Sequence, residues 1–137
     1  MSEQELLEER HGAVAVVTMN RPKAKNALSP ELLTALLETL PKLADDASVR
    51  TVVLTGAGGA FCSGADLKAA MANPEAFQNI DATMTRYHGV IRAIVNAPKP
   101  FIAMIEGPAV GFGCDMALAC DIRMVATDAY FEERFVK

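Results

Sequence analysis

The sequence predicts an α/β fold built on a largely parallel sheet. Short β-branched runs alternate with helix-patterned stretches, and glycine-bearing turns follow two of the strands. Residues 13–19 (AVAVVTM) form the first such run, bounded by Gly12 and by Asn20-Arg21-Pro22, and read as a buried strand entering a turn. The loop that follows, NRPKAKNAL, holds Arg21, Lys23 and Lys25, the densest basic stretch of the chain. Ser29-Pro30-Glu31 then combines an N-cap residue, a proline where the first N–H is dispensable, and an acid at the positive end of the helix dipole. A helix starts there, with Leu32, Leu33, Leu36, Leu37, Leu40 and Leu43 at helical spacing, and Pro41 is expected to kink or end it.

The second strand, 51–55 (TVVLT), runs into the glycine-rich stretch 56–64 and an expected helix over 65–72. Asn73-Pro74 breaks that helix. Residues 75–96 resume it as the longest element, with Phe77, Ile80, Met84, Tyr87, Ile91 and Val95 on one face, until Pro98 and Pro100 stop it. A third strand at 101–105, a turn at Glu106 to Gly113, a short helix over 114–119 and a fourth strand at 122–126 complete the pattern. One domain over 1–137 accommodates it, and the apolar ending at 131–137 suggests a domain incomplete at its C-terminus.

Composition excludes several functions. With 51% hydrophobic and 22% charged residues the chain is expected to fold. Thirteen Lys and Arg against seventeen Asp and Glu give a net charge of −4, which argues against a broad surface for nucleic acid or anionic membrane. Charged residues interrupt every apolar run well short of the ~18 residues a membrane span needs. The acidic N-terminus lacks a signal-peptide pattern and points to a cytoplasmic protein. Cys62, Cys114 and Cys120 read as reduced thiols, and with His11 and His88 as the only histidines no metal centre is expected.

Strand, glycine loop and helix suggest a phosphate cradle, but the details fail. Gly59-Ala-Phe-Cys-Ser-Gly64 has Ala65 where a P-loop needs lysine, and Phe61 occupies the third glycine position of a dinucleotide fingerprint. A nucleotide-binding domain is thus a minor alternative. Backbone N–H groups at Cys62-Ser63-Gly64 and Gly111-Phe112-Gly113 could instead converge on one carbonyl oxygen and stabilise an enolate or tetrahedral species. From glycine placement alone, simple tight turns are the favoured reading.

A family resemblance rests on Asn20-Arg-Pro-x-x-x-Asn26-Ala-Leu28, Leu54-Thr-Gly56, Gly59-Ala-Phe-Cys-Ser-Gly-Ala-Asp-Leu67, Lys99-Pro100 and the run from Gly107 to Asp121. In order and spacing these motifs resemble the enoyl-CoA hydratase/isomerase (crotonase) superfamily over practically the whole chain. The resemblance implies a crotonase-like fold of repeated ββα units, truncated before the C-terminal helices that close the acyl pocket and build trimers. It further implies an acyl-CoA thioester as partner, coenzyme A as part of the substrate with no permanently bound cofactor, and a homotrimer or hexamer for a full-length chain.

By position the resemblance makes Ser63 and Phe112 the oxyanion N–H donors and Asp115 the acid–base group. Lys23, Ala24 and Lys25 fall where the family cradles the nucleotide end of coenzyme A, and Ala65, Asp66 and Leu67 fall along the substrate site. The family's hydratases bracket a water with two glutamates, whereas Asp115 stands at the first position and Phe135 at the second. Glu132 and Glu133 are expected to be solvated acids. Proton transfer of the isomerase type is therefore favoured over hydration, with partial similarity to dienoyl-CoA isomerases and to ring-modifying acyl-CoA isomerases. A non-catalytic acyl-CoA-binding or associating fragment of the same family is the alternative.

The remaining residues take structural roles. Cys62 lacks an adjacent base and reads as packing, as do Cys114 and Cys120. His88 reads as a surface histidine, Asp66 and Asp121 as loop and strand-end acceptors, and Met84, Met104, Met116 and Met124 as core.

Overall fold

The computed structural model describes residues 4–66, 72 and 79–133. Four parallel strands form its frame: β2 (Val14–Met19), β3 (Thr51–Gly56), β4 (Phe101–Ile105) and β6 (Ile122–Val125). The sequence reading places all four within a residue at each end. In the first three, alternation explains why: Ala15, Val17, Met19, Val52, Leu54, Phe101 and Ala103 are fully buried, while Val14, Val16, Thr18, Val53, Ile102 and Met104 are half-exposed, and β6 is exposed along its length.

Helix α1 (Pro30–Asp45) covers the buried face with Leu32, Leu33, Leu36, Leu40 and Leu43. Ser29 caps it as expected, its hydroxyl accepting from Leu32 N at 3.0 Å. Contrary to expectation, the helix passes through Pro41 to Asp45. Pro41 lies on the exposed side, and Leu40 and Leu43 are buried around it. Burying two leucines, at about 1.5–3 kcal/mol each, offsets the ~3 kcal/mol that an interior proline costs. Helix α2 (Ile80–Val95) packs on α1 through Val90 and Ile94, and α3 (Phe112–Ala119) leads into β6.

Lys99 ties the far end of α1 to the sheet. Its ammonium donates to the carbonyls of Leu43, Asp46 and Val49 at 2.7, 2.9 and 2.8 Å, drawing the end of the helix and the turn after it onto one charged donor. Lys99→Met is expected to lower stability by about 2 kcal/mol, because three carbonyls lose a charged donor at once. A thermal melt with no loss of Tm would contradict this role. Asp121 also behaves as expected, its carboxylate accepting from Phe101 N at 2.8 Å.

Three strands escape the sequence pattern. β1 (Leu6–His11) pairs antiparallel with β2 through the turn at Gly12, whose φ is +62°. As an exposed edge it carries Glu8, Glu9 and Arg10 and shows no apolar alternation. β5 (Ala109–Val110) and β7 (Phe131–Glu132) are two-residue strands paired in parallel as a separate ribbon. Such lengths are below what periodicity can register.

Two methionine expectations also fail: Met84 is 46% exposed and Met124 59% exposed, whereas Met116 is buried in the core. Most of the helix expected over 65–72, the break at Asn73-Pro74, and Phe77 lie outside the described residues. No described helix is long and apolar enough to cross a membrane.

Candidate active site

Parallel strands open their carboxyl ends on the same edge of the sheet, and this edge is where the three motif loops leave it. Met19 lies opposite Gly56, and Leu54 opposite Ala103, so the loops after β2, β3 and β4 start side by side. Asn26 fastens the first to the second. Fully buried, it accepts from Arg21 N at 2.8 Å and donates through Nδ2 to the carbonyls of Ala57 and Ala60 at 3.0 and 2.9 Å. Sequence reasoning had only the resemblance to mark this residue. Asn26→Leu keeps the branched side-chain skeleton but strands three backbone groups, and it is expected to cost about 3 kcal/mol in urea unfolding. An unchanged midpoint would show that the loops hold without it.

The second and third loops interlock through close backbone approach. Cys62 pairs with Ala109, its N–H donating to Pro108 O at 3.2 Å and its carbonyl accepting from Val110 N at 2.9 Å. A methyl group on Gly113 would sit 2.2 Å from the Cys62 carbonyl oxygen, so only glycine lets α3 start against this loop. Gly64 has φ +97°, and a methyl there would lie 3.5 Å from Phe112 N. The two glycine turns, whose convergence the sequence left as one of two readings, thus meet.

Which backbone N–H groups are available differs from expectation at one residue. Ser63 N donates to Lys25 O at 3.0 Å and is already satisfied. Ala65 is better placed. Leu28 N donates to Gly64 O and Asp66 N to Leu28 O, so the bridge between Leu28 and Ala65 uses the groups flanking Ala65 and turns its own N–H away from Leu28. Ala65 lines a cavity together with Phe112, the first residue of α3. Neither N–H meets an acceptor among the described residues, and Phe112 N is one of the donors that a helix start leaves unpaired.

That cavity, about 560 Å³, is apolar apart from a few groups. From α2 come Met84, Tyr87, His88, Ile91 and Val95, and from α3 come Phe112, Asp115, Leu118 and Ala119. The apolar face of α2 that the spacing predicts supplies Met84, Tyr87, Ile91 and Val95 to the cavity wall, and Val90 and Ile94 are the helix's core side. The Phe112 ring meets Tyr87 edge-on, with centroids 4.9 Å apart and planes at 76°. His88, an exposed histidine in sequence terms, faces this space as well.

Asp115 lies in the first turn of α3 and its carboxyl is pushed up to about 6. Burial is the first cause; hydrogen bonding and charge repulsion from Glu133 add to it. Glu133 is therefore not one of a solvated pair, as the sequence suggested, but a neighbour of Asp115. A carboxyl titrating near neutrality beside an apolar cavity can both accept and return a proton.

The family model for enoyl-CoA hydratase/isomerase matches residues 9–137. The chain belongs to this family. Among hydratase/isomerase relatives, enoyl-CoA hydratase EchA19 of Mycobacterium tuberculosis is 39% identical over 127 residues, covering 91% of this chain and 47% of that protein. (E)-Benzylidenesuccinyl-CoA hydratase of Thauera aromatica is 43% identical over 119 residues, covering 86% and 45%. A solved enoyl-CoA hydratase of Mycobacterium smegmatis superimposes with a TM-score of 0.89 at 42% identity, covering 94% of this chain and 50% of that one. The chain spans about half the length of the curated relatives it matches, and the crotonase fold expected from the motifs is the fold these structures share.

Other expected site residues do not line the cavity. Lys23 and Lys25 are exposed on the first loop, with Ala24 between them accepting from the Ser63 hydroxyl at 3.2 Å. Asp66 is a loop acceptor, paired with Arg21 at 3.0 Å. Leu67 and Phe135 lie outside the described residues. Burial pushes the Cys62 thiol up to about 12, which keeps it protonated and removes it as a nucleophile.

Proposed function

We propose that the protein acts on an acyl-CoA thioester, with the carbonyl oxygen held between the N–H groups of Ala65 and Phe112 and a proton moved by Asp115. Asp115 takes a proton from the carbon next to the thioester carbonyl; the C–H electrons form the enolate, and the two N–H donors stabilise the charge gathering on oxygen. The same carboxyl then returns the proton to the γ carbon of an unsaturated acyl group, and the double bond moves into conjugation. The observation that carries this reading is one cavity lined by two unengaged backbone N–H groups and a carboxyl held near neutrality.

The start of α3 adds positive potential at Phe112, which favours the oxyanion further. Exposed Lys23 and Lys25 at the mouth of the loops suit the phosphates of coenzyme A as mobile, screened charges. A trimeric or hexameric assembly in the cytoplasm belongs to the same reading. Incubating the protein with a β,γ-unsaturated acyl-CoA in D2O is expected to give the conjugated isomer with deuterium in the acyl chain. Formation of a 3-hydroxyacyl-CoA would instead favour water addition, and binding without turnover would favour the non-catalytic alternative.

A further inference from the structure

Arg21 belongs to the basic loop after β2, yet it is not open to solvent as Lys23 and Lys25 are. Its side chain is only 23% exposed and lies between two carboxylates, Glu5 at 2.7 Å and Asp66 at 3.0 Å. Glu5 also accepts from the Ser29 hydroxyl at 2.8 Å, at the start of α1. Through Nη1 the guanidinium donates to the carbonyl of Ala27 as well. The two acids pin the guanidinium and cancel most of its long-range field. What Arg21 delivers beyond them passes through the bond to Ala27.

That bond opens a chain that ends in the cavity. The carbonyl of Ala27 and the N–H of Leu28 belong to one peptide group, and Leu28 N donates to Gly64 O at 2.7 Å. Gly64 O and Ala65 N belong to another. No peptide bond is cis among the described residues, so in each group the N–H points opposite to the C=O. The chain therefore runs in one direction: from Arg21 to Ala27 O, from Leu28 N to Gly64 O, and from Ala65 N into the space that Ala65 shares with Phe112. Aligned bonds polarise one another by about 10–30% each, and a poorly solvated setting preserves the gain.

We propose that Arg21 is a positioning residue for the oxyanion hole: through two peptide groups it aims and polarises the N–H of Ala65. This rests on the functional reading above. It also gives Asp66 a task, that of holding the guanidinium from the residue next to Ala65. Phe112 N lies outside the chain of bonds and serves as the internal control.

The test compares the parent with Arg21→Met, which keeps an unbranched side chain and removes its donors, and with Arg21→Lys, which keeps one charged donor. In the free proteins, the NMR coupling across the hydrogen bond from Leu28 N to the Gly64 carbonyl is expected to fall by about a fifth in Arg21→Met. The coupling from Val52 N to the Pro100 carbonyl, within the sheet, should stay the same. On adding a saturated acyl-CoA, the downfield shift of the Ala65 amide should shrink while that of Phe112 is kept. Deuterium exchange into a β,γ-unsaturated acyl-CoA should lose about tenfold in kcat with KM within about twofold, because the charge that needs the stronger donor develops only in the enolate. Arg21→Lys should restore part of each.

An unchanged Leu28–Gly64 coupling in Arg21→Met would overturn the proposal. So would equal losses at Ala65 and Phe112, the mark of a loop merely loosened. Should Arg21→Met not fold, the parent decides: binding of the saturated acyl-CoA should raise the Leu28–Gly64 coupling, since an acceptor at Ala65 strengthens the bonds behind it, and no rise would overturn the relay. A parent in which neither amide responds to acyl-CoA contradicts the functional reading instead, and the couplings of the free variants then decide on Arg21 by themselves.

Discussion

Replacing Asp115 with asparagine is expected to cut deuterium exchange about a thousandfold while leaving acyl-CoA binding nearly intact. The same change should stabilise the fold at pH 8. The Asp115 carboxyl titrates near 6 in the folded chain, against an ordinary value near 4 when unfolded. A raised carboxyl binds its proton more tightly in the folded state. Its contribution to stability is therefore present below about pH 4 and is lost as pH rises through about 6. At pH 8 both states are ionised, and only the folded one holds the charge in a poorly solvated place beside Glu133. Asparagine carries no charge, so the variant should melt above the parent at pH 8, and the gap should close towards pH 4. A variant that exchanges deuterium like the parent would remove Asp115 from the chemistry. One that melts lower than the parent at pH 8 would contradict the cause assigned to its shift.

The second large effect is expected at Phe112, where backbone and side chain can be separated. Proline at the first position of a helix keeps the helix, since its missing N–H bonds to nothing there. Phe112→Pro thus removes a donor from the cavity, and loss of one such donor costs about a hundred- to a thousandfold in turnover. Phe112→Ala retains the N–H and loses the edge contact with Tyr87, worth about 0.5–1.5 kcal/mol. Exchange by the alanine variant should stay within about tenfold of the parent. Equal losses in the two variants would mean that the ring matters and the N–H does not.

The frame of this fold was legible because its inner strands alternate and its first helix announces its own start. Val14–Met19, Thr51–Gly56 and Phe101–Ile105 each bury every second residue, and Ser29-Pro30 carries a cap that the structure uses. Elements that pair by backbone alone left no such trace. β5 and β7 are two residues each, and it is their pairing that brings Glu132 beside Gly111, at the start of α3. The choice between Ser63 and Ala65 was likewise invisible, because it depends on which way a peptide group turns once Lys25 and Leu28 have taken their partners. Pro41 misled for a different reason: its helical cost is local, whereas the leucine face that outweighs it is tertiary. One signal could have been used better. Asn26 stands in the loop where two further loops must be held, and a buried amide with both donors and an acceptor is suited to that task.

Amide proton shifts test the central claim most directly. On titrating 15N-labelled protein with a saturated acyl-CoA, the N–H protons of Ala65 and Phe112 should move downfield together as they meet the thioester oxygen, while that of Ser63, already bonded to Lys25, stays in place. Shifts at Ser63 in place of Ala65, or none at Phe112, would contradict the site described.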